Sequence, residues 1–122
     1  MFDAQAISEA APRRGFKPKG KASWTRRTDE FLQLINLQRS AWSNGQTYLN
    51  FGMWPLAFGE PSSFAESMMM FRTRAEDLGA ADPDALFDAA YRLQSLQELR
   101  SALATRSVSG LVSVELRHLL DK

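Results

Sequence analysis

The chain has 122 residues and a formal net charge of +1, and 44% of its residues are hydrophobic. These values are typical of a soluble globular protein, so we expect one domain over residues 1–122. The absence of cysteine excludes disulfides, thiolate nucleophiles and cysteine-ligated metal centres. No apolar run approaches the roughly 20 residues of a membrane span. The N-terminus also lacks the pattern of a secretory signal, so we expect a cytoplasmic protein.

The charges are distributed unevenly along the chain. Residues 60–100 carry eight acidic residues against four arginines. A basic segment before them carries seven cations and no anion, namely Arg13, Arg14, Lys17, Lys19, Lys21, Arg26 and Arg27. This distribution predicts either mutual attraction between the two regions or an anionic partner for the basic segment.

The first predicted elements are a short helix, a basic loop and a strand. Residues 3–11 form the helix, and Pro12 ends it. The basic loop spans 15–20, with Phe16 as its anchor in the core. A strand over 22–27 follows, in which successive side chains point to opposite faces of the sheet.

The strongest local signal in the chain is a hairpin over residues 31–54. Two apolar runs flank Ser43-Asn44-Gly45, and an Asn-Gly step between such runs is typical of a hairpin turn. A two-residue loop would mix polar and apolar side chains on both faces, whereas a three-residue loop separates them. We therefore predict the three-residue loop, which places Gln38 directly opposite Asn50.

This loop assigns the hairpin side chains to two faces. The core face carries Ile35, Leu37, Leu49, Phe51 and Met53. The opposite face carries Leu34, Asn36, Gln38, Ser40, Tyr48, Asn50 and Trp54. Amide and hydroxyl groups between aromatic walls are typical of recognition surfaces, although an antiparallel sheet often simply exposes one polar face to water.

After a loop over 55–61, residues 67–74 are predicted as a fourth strand. Met69 and Phe71 would face one way, and Arg72 and Arg74 would face the other. A short apolar run of this kind also fits a helix, so that alternative stays open.

Two helices are predicted in the C-terminal part. Asp82-Pro83 is a helix start, with an acceptor at the N-cap and proline at the first helical position. No glycine or proline follows before about Thr105, so we expect this helix to continue to that residue. A last helix is predicted to end near Leu120. Phe87 and Tyr91 belong to the first of these two helices but lie outside its apolar stripe. Their side chains would contact the N-terminal helix, a second subunit or a ligand.

These elements predict an α+β fold. Its sheet is a four-stranded antiparallel meander, with an N-terminal helix and two C-terminal helices packed on one face.

The sequence supports no catalytic residue, metal site or cofactor. The single histidine, His118, has no second histidine or cysteine with which to form a transition-metal site. Residues 15–21 match the start of a phosphate-binding loop, but a helix precedes them and a strand follows, which is the wrong context. An enzyme is therefore less expected than a binding protein.

The hairpin resembles a bacterial family catalogued as domain of unknown function 4304. The matching residues are Gly15-Phe16-Lys17 with Gly20, Arg26, the run from Ile35 to Ser43, and Asn50-x-Gly52. The resemblance covers roughly the first half of the chain. After the hairpin the family tends to carry a cysteine-histidine and arginine-containing segment, to which only Arg72 or Arg74 corresponds here. The resemblance implies an α+β fold and no assigned activity.

The leading hypothesis is a small non-catalytic binding or interaction module whose partner is a protein or a small ligand. The predicted binding residues are Asn36, Gln38, Ser40, Tyr48, Asn50, Trp54, Arg72 and Arg74. One alternative is a toxin-neutralising immunity-type protein. Another is a nucleic-acid binder that uses the basic segment, in which Phe16 and Trp24 would stack on bases. No membrane contact is expected, and the oligomeric state stays open.

Overall fold

The computed structural model describes residues 3–39 and 47–122. Its helices are α1 (Ala4–Ala10), α2 (Pro83–Tyr91), α3 (Leu96–Ala104) and α4 (Val114–Leu120). Its strands are β1 (Lys17–Pro18), β2 (Ser23–Arg27), β3 (Phe31–Arg39), β4 (Thr47–Pro55), β5 (Phe71–Arg74) and β6 (Leu111–Val112). The strands form one antiparallel sheet in the order β1-β2-β3-β4-β5-β6. The predicted α+β class is therefore confirmed. No helix in the described ranges is both long and apolar enough to cross a membrane.

The predicted count of four strands is wrong, because six strands lie in the described part of the chain. The four predicted strands correspond to β2, β3, β4 and β5. The additional strands β1 and β6 have two residues each, which is too short to show a period of two. The sequence therefore predicted a loop at β1 and part of the last helix at β6. Phe16 is buried beside β1, as predicted for the anchor.

The predicted long helix over residues 83–105 is also wrong, because it is divided into α2 and α3. The reason is a capping box at the start of α3. The Ser95 hydroxyl accepts a hydrogen bond from the Glu98 backbone N–H at 3.1 Å. The Glu98 carboxylate accepts one from the Gln94 backbone N–H at 3.0 Å. The C-terminal part of the chain therefore has three helices rather than two.

The hairpin faces agree with the prediction, but the pairing differs by two residues. Asn36 lies opposite Asn50, and Gln38 lies opposite Tyr48, so the predicted direct pairing of Gln38 with Asn50 is wrong. A shift of two residues keeps every side chain on its face because the side chains of a strand alternate. The predicted turn at 43–45 lies outside the described residues.

The side of the sheet toward the helices, which we call the helix face, carries the main core. Sheet residues of this core are Phe31, Ile35, Leu49, Phe51, Met53 and Phe71, and helix residues include Ile7, Leu86, Phe87, Leu99 and Leu116. Phe87 is buried, and its ring centroid lies 5.1 Å from that of Phe16. Phe87 thus packs within the molecule, whereas Tyr91 is 64% exposed.

The opposite side of the sheet, which we call the cleft face, is partly covered. Leu32 and Leu34 lie on this face and are buried. Residues 56–70, the cover segment, contact the same region: the Trp54 indole donates a hydrogen bond to the Gly59 carbonyl at 2.8 Å. A Cβ atom on Gly52 would lie only 2.5 Å from Cγ of Met69. The cleft face therefore has a covered apolar half and an uncovered polar half.

The predicted strand over 67–74 forms only from Phe71 onward. A 3-10 turn at Glu66–Met68 precedes it and turns Met69 toward the cleft face, over Gly52. The prediction that Met69 and Phe71 share a side is wrong for this reason. Arg72 and Arg74 lie together on the cleft face, because they pair with Gly52 and Asn50.

Candidate binding cleft

A row of polar residues crosses the uncovered half of the cleft face. Ser23, Asn36, Asn50 and Arg74 are direct neighbours in the ladders of β2, β3, β4 and β5. Directly opposite residues of an antiparallel ladder share a face. We call these four residues the polar row.

Hydrogen bonds hold the two asparagines of the polar row in place. Asn36 Nδ2 donates to Ser23 Oγ at 3.0 Å and to the Ala22 carbonyl at 3.3 Å. Asn50 Nδ2 donates to Gln38 Oε1 at 3.0 Å and to Asn36 Oδ1 at 3.4 Å. Asn50 is only 4% exposed. Its amide is therefore a nearly buried group whose orientation is set by two neighbours.

Beside the polar row lies an open cleft of about 600 Å³. It is lined by Gln38, Asn50, Glu66, Arg72, Thr73, Arg74, Asp77, Gly110 and Leu111. Side chains of β3, β4 and β5 form its floor. Gly110 and Leu111 form one wall, and they lie close to β5: a Cβ atom on Gly110 would be 2.6 Å from the Arg72 carbonyl oxygen.

The two arginines of the cleft have different partners. Arg72 donates from Nε and Nη2 to the two carboxylate oxygens of Glu66, at 3.1 and 3.4 Å. The guanidinium carbon of Arg74 lies 4.1 Å from the centroid of the Tyr48 ring. Within residues 3–39 and 47–122, Arg74 has no carboxylate partner. The charge of Arg72 is therefore paired inside the molecule, and that of Arg74 is not.

Two amide atoms in the cleft also have unused hydrogen-bonding capacity. Among the described residues, neither Gln38 Nε2 nor Asn50 Oδ1 has a protein partner, although the other atom of each amide does. Every buried side-chain nitrogen and oxygen in that part of the chain has a partner, so these two atoms reach solvent. The cleft thus offers one guanidinium, one amide donor and one amide acceptor to a ligand.

A family model described as a domain of unknown function (DUF4304) matches residues 7–109. This chain belongs to the DUF4304 family. The match extends well beyond the hairpin and contains the polar row, Arg72 and Asp77, whereas Gly110 and Leu111 follow it. No curated protein and no solved structure matches the chain significantly.

The DUF4304 fold brings most of the predicted binding residues to the cleft. Gln38, Asn50, Arg72 and Arg74 line it. The Tyr48 ring contacts the Arg74 guanidinium, and Asn36, beside Asn50 on the neighbouring strand, accepts a hydrogen bond from it. Trp54 lies on the same face but is hydrogen-bonded to the cover segment instead. Ser40 lies outside the described residues. The role of these residues in binding stays a prediction.

Sequence reasoning missed several cleft residues of the DUF4304 domain. Glu66, Thr73, Asp77, Gly110 and Leu111 complete the lining. Thr73 lies on the predicted strand, but its hydroxyl points to the helix side and donates to the Ser109 carbonyl at 2.6 Å. The others lie in turns or in a two-residue strand, where no periodic pattern places a side chain.

The basic segment is largely used inside the molecule. Arg14 pairs with Asp88, and also with Asp84 at 3.7 Å. Its hydrogen bond to Asp88 raises the pKa of Arg14 above its ordinary value. Arg27 donates to both oxygens of Glu60 at 2.7 Å. The acidic and basic regions therefore attract each other, which was one of the two predicted outcomes.

Other members of the basic segment stay at the surface. Lys19 lies 4.4 Å from the centroid of the Phe64 ring, on the cover segment. The remaining exposed cations are Arg13, Lys17 and Lys21. The outward positive charge of the segment is thus smaller than the sequence alone indicates.

Arg26 and Gln33 form a second amide and arginine cluster, on the helix face. Gln33 is fully buried, and its Oε1 accepts hydrogen bonds from Arg26 Nε at 3.0 Å and Nη2 at 2.6 Å. Its Nε2 donates to the carbonyls of Ala90 at 2.8 Å and Leu93 at 3.0 Å. Burial lowers the pKa of Arg26 below its ordinary value. This cluster ties the end of α2 to the sheet and has no free amide atom for a ligand.

His118 does not reach the cleft. It lies on α4 beside a separate groove with Phe58 and Leu119. The structure does bring two carboxylates, Glu66 and Asp77, to the cleft. No group of three His, Cys, Asp or Glu residues that could hold a metal ion occurs among the described residues.

Proposed function

We propose that the protein is a non-catalytic binding module that holds its partner in the cleft beside the polar row. One observation carries this proposal. Among the described residues, Gln38 Nε2, Asn50 Oδ1 and the Arg74 guanidinium have no hydrogen-bond or ionic partner, while the amides of Asn36 and Asn50 beside them are held by hydrogen bonds. Such a floor is ordered before a ligand arrives, so little conformational entropy is lost on binding.

The burial of Asn50 separates this surface from an ordinary solvated sheet face. An amide whose only role was to contact water at the sheet surface would be exposed. Asn50 is only 4% exposed, and its Oδ1 has no protein partner among the described residues. This oxygen reaches solvent, so a ligand N–H group can donate a hydrogen bond to it without displacing a protein partner.

Binding receives more support than catalysis. The carboxylate of Glu66 is held by Arg72, and the one imidazole of the chain lies in another groove. Neither group is arranged as a base beside a nucleophile, which catalysis of group transfer needs. We also propose a cytoplasmic location, which rests on the sequence alone.

The two alternative functions differ in their support. Nucleic-acid binding loses support because Arg14, Arg26 and Arg27 are engaged inside the molecule. An immunity-type function is one form of protein binding and stays a prediction. A toxin gene adjacent to the gene of this protein would favour it.

A photo-crosslinking experiment tests the proposed site. A photoreactive amino acid is placed at Gln38, which is exposed at the rim of the cleft. The matched control carries it at Ser101, which is exposed on α3. Both variants are expressed in the cells from which the protein comes and are irradiated, and circular dichroism confirms that both fold.

We expect crosslinked partners at position 38 that are absent at position 101. The triple variant N36A/Q38A/N50A, measured by capture on immobilised protein, should lose the same partners. Identical partners at positions 38 and 101, or full retention by the triple variant, would contradict the site.

A further inference from the structure

We infer that the group recognised by this cleft is a carboxylate, bound by the guanidinium of Arg74. The inference rests on the proposed function, since it names the chemistry of the same site. Three observations lead to it: the internal pairing of Arg72, the presentation of Arg74 and the charge of the cleft lining.

The cleft already holds one carboxylate. The Glu66 side chain meets Arg72 edge on, with one oxygen at Nε and the other at Nη2. This is the two-point geometry by which a planar guanidinium recognises a planar carboxylate. The floor of the cleft therefore accommodates a carboxylate beside β5.

Arg74 offers a second position of the same kind. It lies two residues after Arg72 on the same face of β5, a spacing of about 6.6 Å along a strand. Its guanidinium carbon lies over the Tyr48 ring, 4.1 Å from the ring centroid. Stacking of this type holds the guanidinium and leaves the N–H groups in its plane available.

The neighbouring amides extend this position. Gln38 Nε2 provides a further donor for a carboxylate oxygen. Asn50 Oδ1 provides an acceptor for an N–H group next to the carboxylate. A carboxyl group that carries an adjacent amide N–H, as at the C-terminus of a polypeptide, uses all three partners.

The charge of the lining favours a singly charged group. Arg72 and Arg74 contribute two positive charges, and Glu66 and Asp77 contribute two negative charges. A phosphate group carries about −1.5 to −2 near neutral pH, so the two carboxylates of the lining would repel it more strongly. Because these four charges sum to zero, a bound carboxylate brings the cleft to a net charge of about −1, whereas a phosphate group brings it to about −1.5 to −2.

Nuclear magnetic resonance titration tests the inference on the whole protein. The probe is N-acetylglycine, and the neutral control is N-acetylglycinamide, which differs only in its terminal group. Acetate represents a free small acid, and inorganic phosphate represents the competing anion. The signals followed are the side-chain Nε–Hε group of Arg74 and the side-chain amide of Gln38.

We expect saturable shifts of both signals with N-acetylglycine and none with N-acetylglycinamide. R74Q should weaken binding about tenfold, as the loss of a charge-assisted hydrogen bond implies. The control R117Q, on the exposed surface of α4, should bind as the wild type does. E66Q and D77N should each bind about twofold to fivefold more tightly, because each removes one negative charge from the lining.

Any of three results would overturn the inference. The first is that the Arg74 signal does not shift in the wild type or in the E66Q and D77N variants. The others are that N-acetylglycinamide binds as tightly as N-acetylglycine, or that phosphate binds more tightly. If R74Q abolishes crosslinking at position 38 while no carboxylate binds, the binding function stands and the carboxylate is wrong. If neither crosslinks nor probe binding occur, both fall. If acetate binds as tightly as N-acetylglycine, the source of the ligand is a free acid. If acetate binds more weakly than N-acetylglycine, the source is a polypeptide carboxyl group.

Discussion

The same hairpin carries an amide and arginine cluster on each of its faces. On the helix face, Gln33 is fully buried, and its amide is completely used by Arg26 and by the carbonyls of Ala90, in α2, and Leu93, just after α2. On the cleft face, the amides of Gln38 and Asn50 are only half used, and Arg74 lacks an ionic partner within the described residues. The two clusters contain the same chemical groups. What distinguishes a structural cluster from a candidate site is whether its hydrogen bonds are all made within the protein.

The largest expected effect concerns the helix-face cluster. Gln33→Leu keeps the size of the side chain but removes the hydrogen bonds of Gln33 Oε1 with Arg26 and those of Gln33 Nε2 with the carbonyls of Ala90 and Leu93. Arg26 then keeps only longer hydrogen bonds to the carbonyls of Arg14 and Ala90, at 3.4 and 3.3 Å. We expect a loss of about 3 kcal/mol in the free energy of unfolding, measured with urea. The matched control Gln38→Leu removes only one hydrogen bond, that of Asn50 Nδ2 to Gln38 Oε1, so we expect a loss of about 1 kcal/mol. Equal effects of the two substitutions would mean that the clusters do not differ as described.

A smaller loss is expected where the cover segment meets the sheet. Gly52→Ala places a methyl group 2.5 Å from Met69 Cγ and 2.8 Å from Met69 Cβ, so the cover segment must shift. We expect a loss of about 1–3 kcal/mol in the free energy of unfolding. In the Met69→Ala background the same substitution should cost less, because Cγ is absent. An unchanged cost in that background would show that the strain arises elsewhere.

The smallest effect on stability, and the sharpest test of the comparison, comes from Arg74→Gln. This substitution removes a cation–π contact between the exposed Arg74 and the half-buried Tyr48, so we expect a loss of less than about 1 kcal/mol. Partner capture should nevertheless be lost. If R74Q destabilises the protein as much as Q33L, the polar row belongs to the structural framework, as the Gln33 cluster does.

The faces of the hairpin were predictable because strand side chains alternate. Ile35 and Leu37 can share the core face with Leu49 and Phe51 in only one parity of pairing. The register within that parity was not predictable, since a shift of two residues keeps Asn36 and Gln38 on the polar face. Gln33 was missed because its partners, Ala90 and Leu93, lie 57 and 60 residues away in sequence.

The sequence contains a signal for the break between α2 and α3, but the break was not predicted. Ser95-x-x-Glu98 is the pattern of a capping box. A continuous helix was predicted instead because the segment contains no glycine or proline. The cleft itself was less accessible to sequence reasoning. Its outline depends on the turn at Glu66 and on the return of the chain at Gly110, which tertiary packing decides.

The close approach of Gly110 to β5 also divides the cleft between two parts of the chain. The floor comes from residues within the family match, which ends at residue 109, and the wall comes from Gly110 and Leu111 just after it. A DUF4304 protein that differs only after this point would keep the floor and change the wall. Under the proposed binding function, we expect the floor to set the kind of chemical group that is bound and the wall to set the shape of the molecule that carries it.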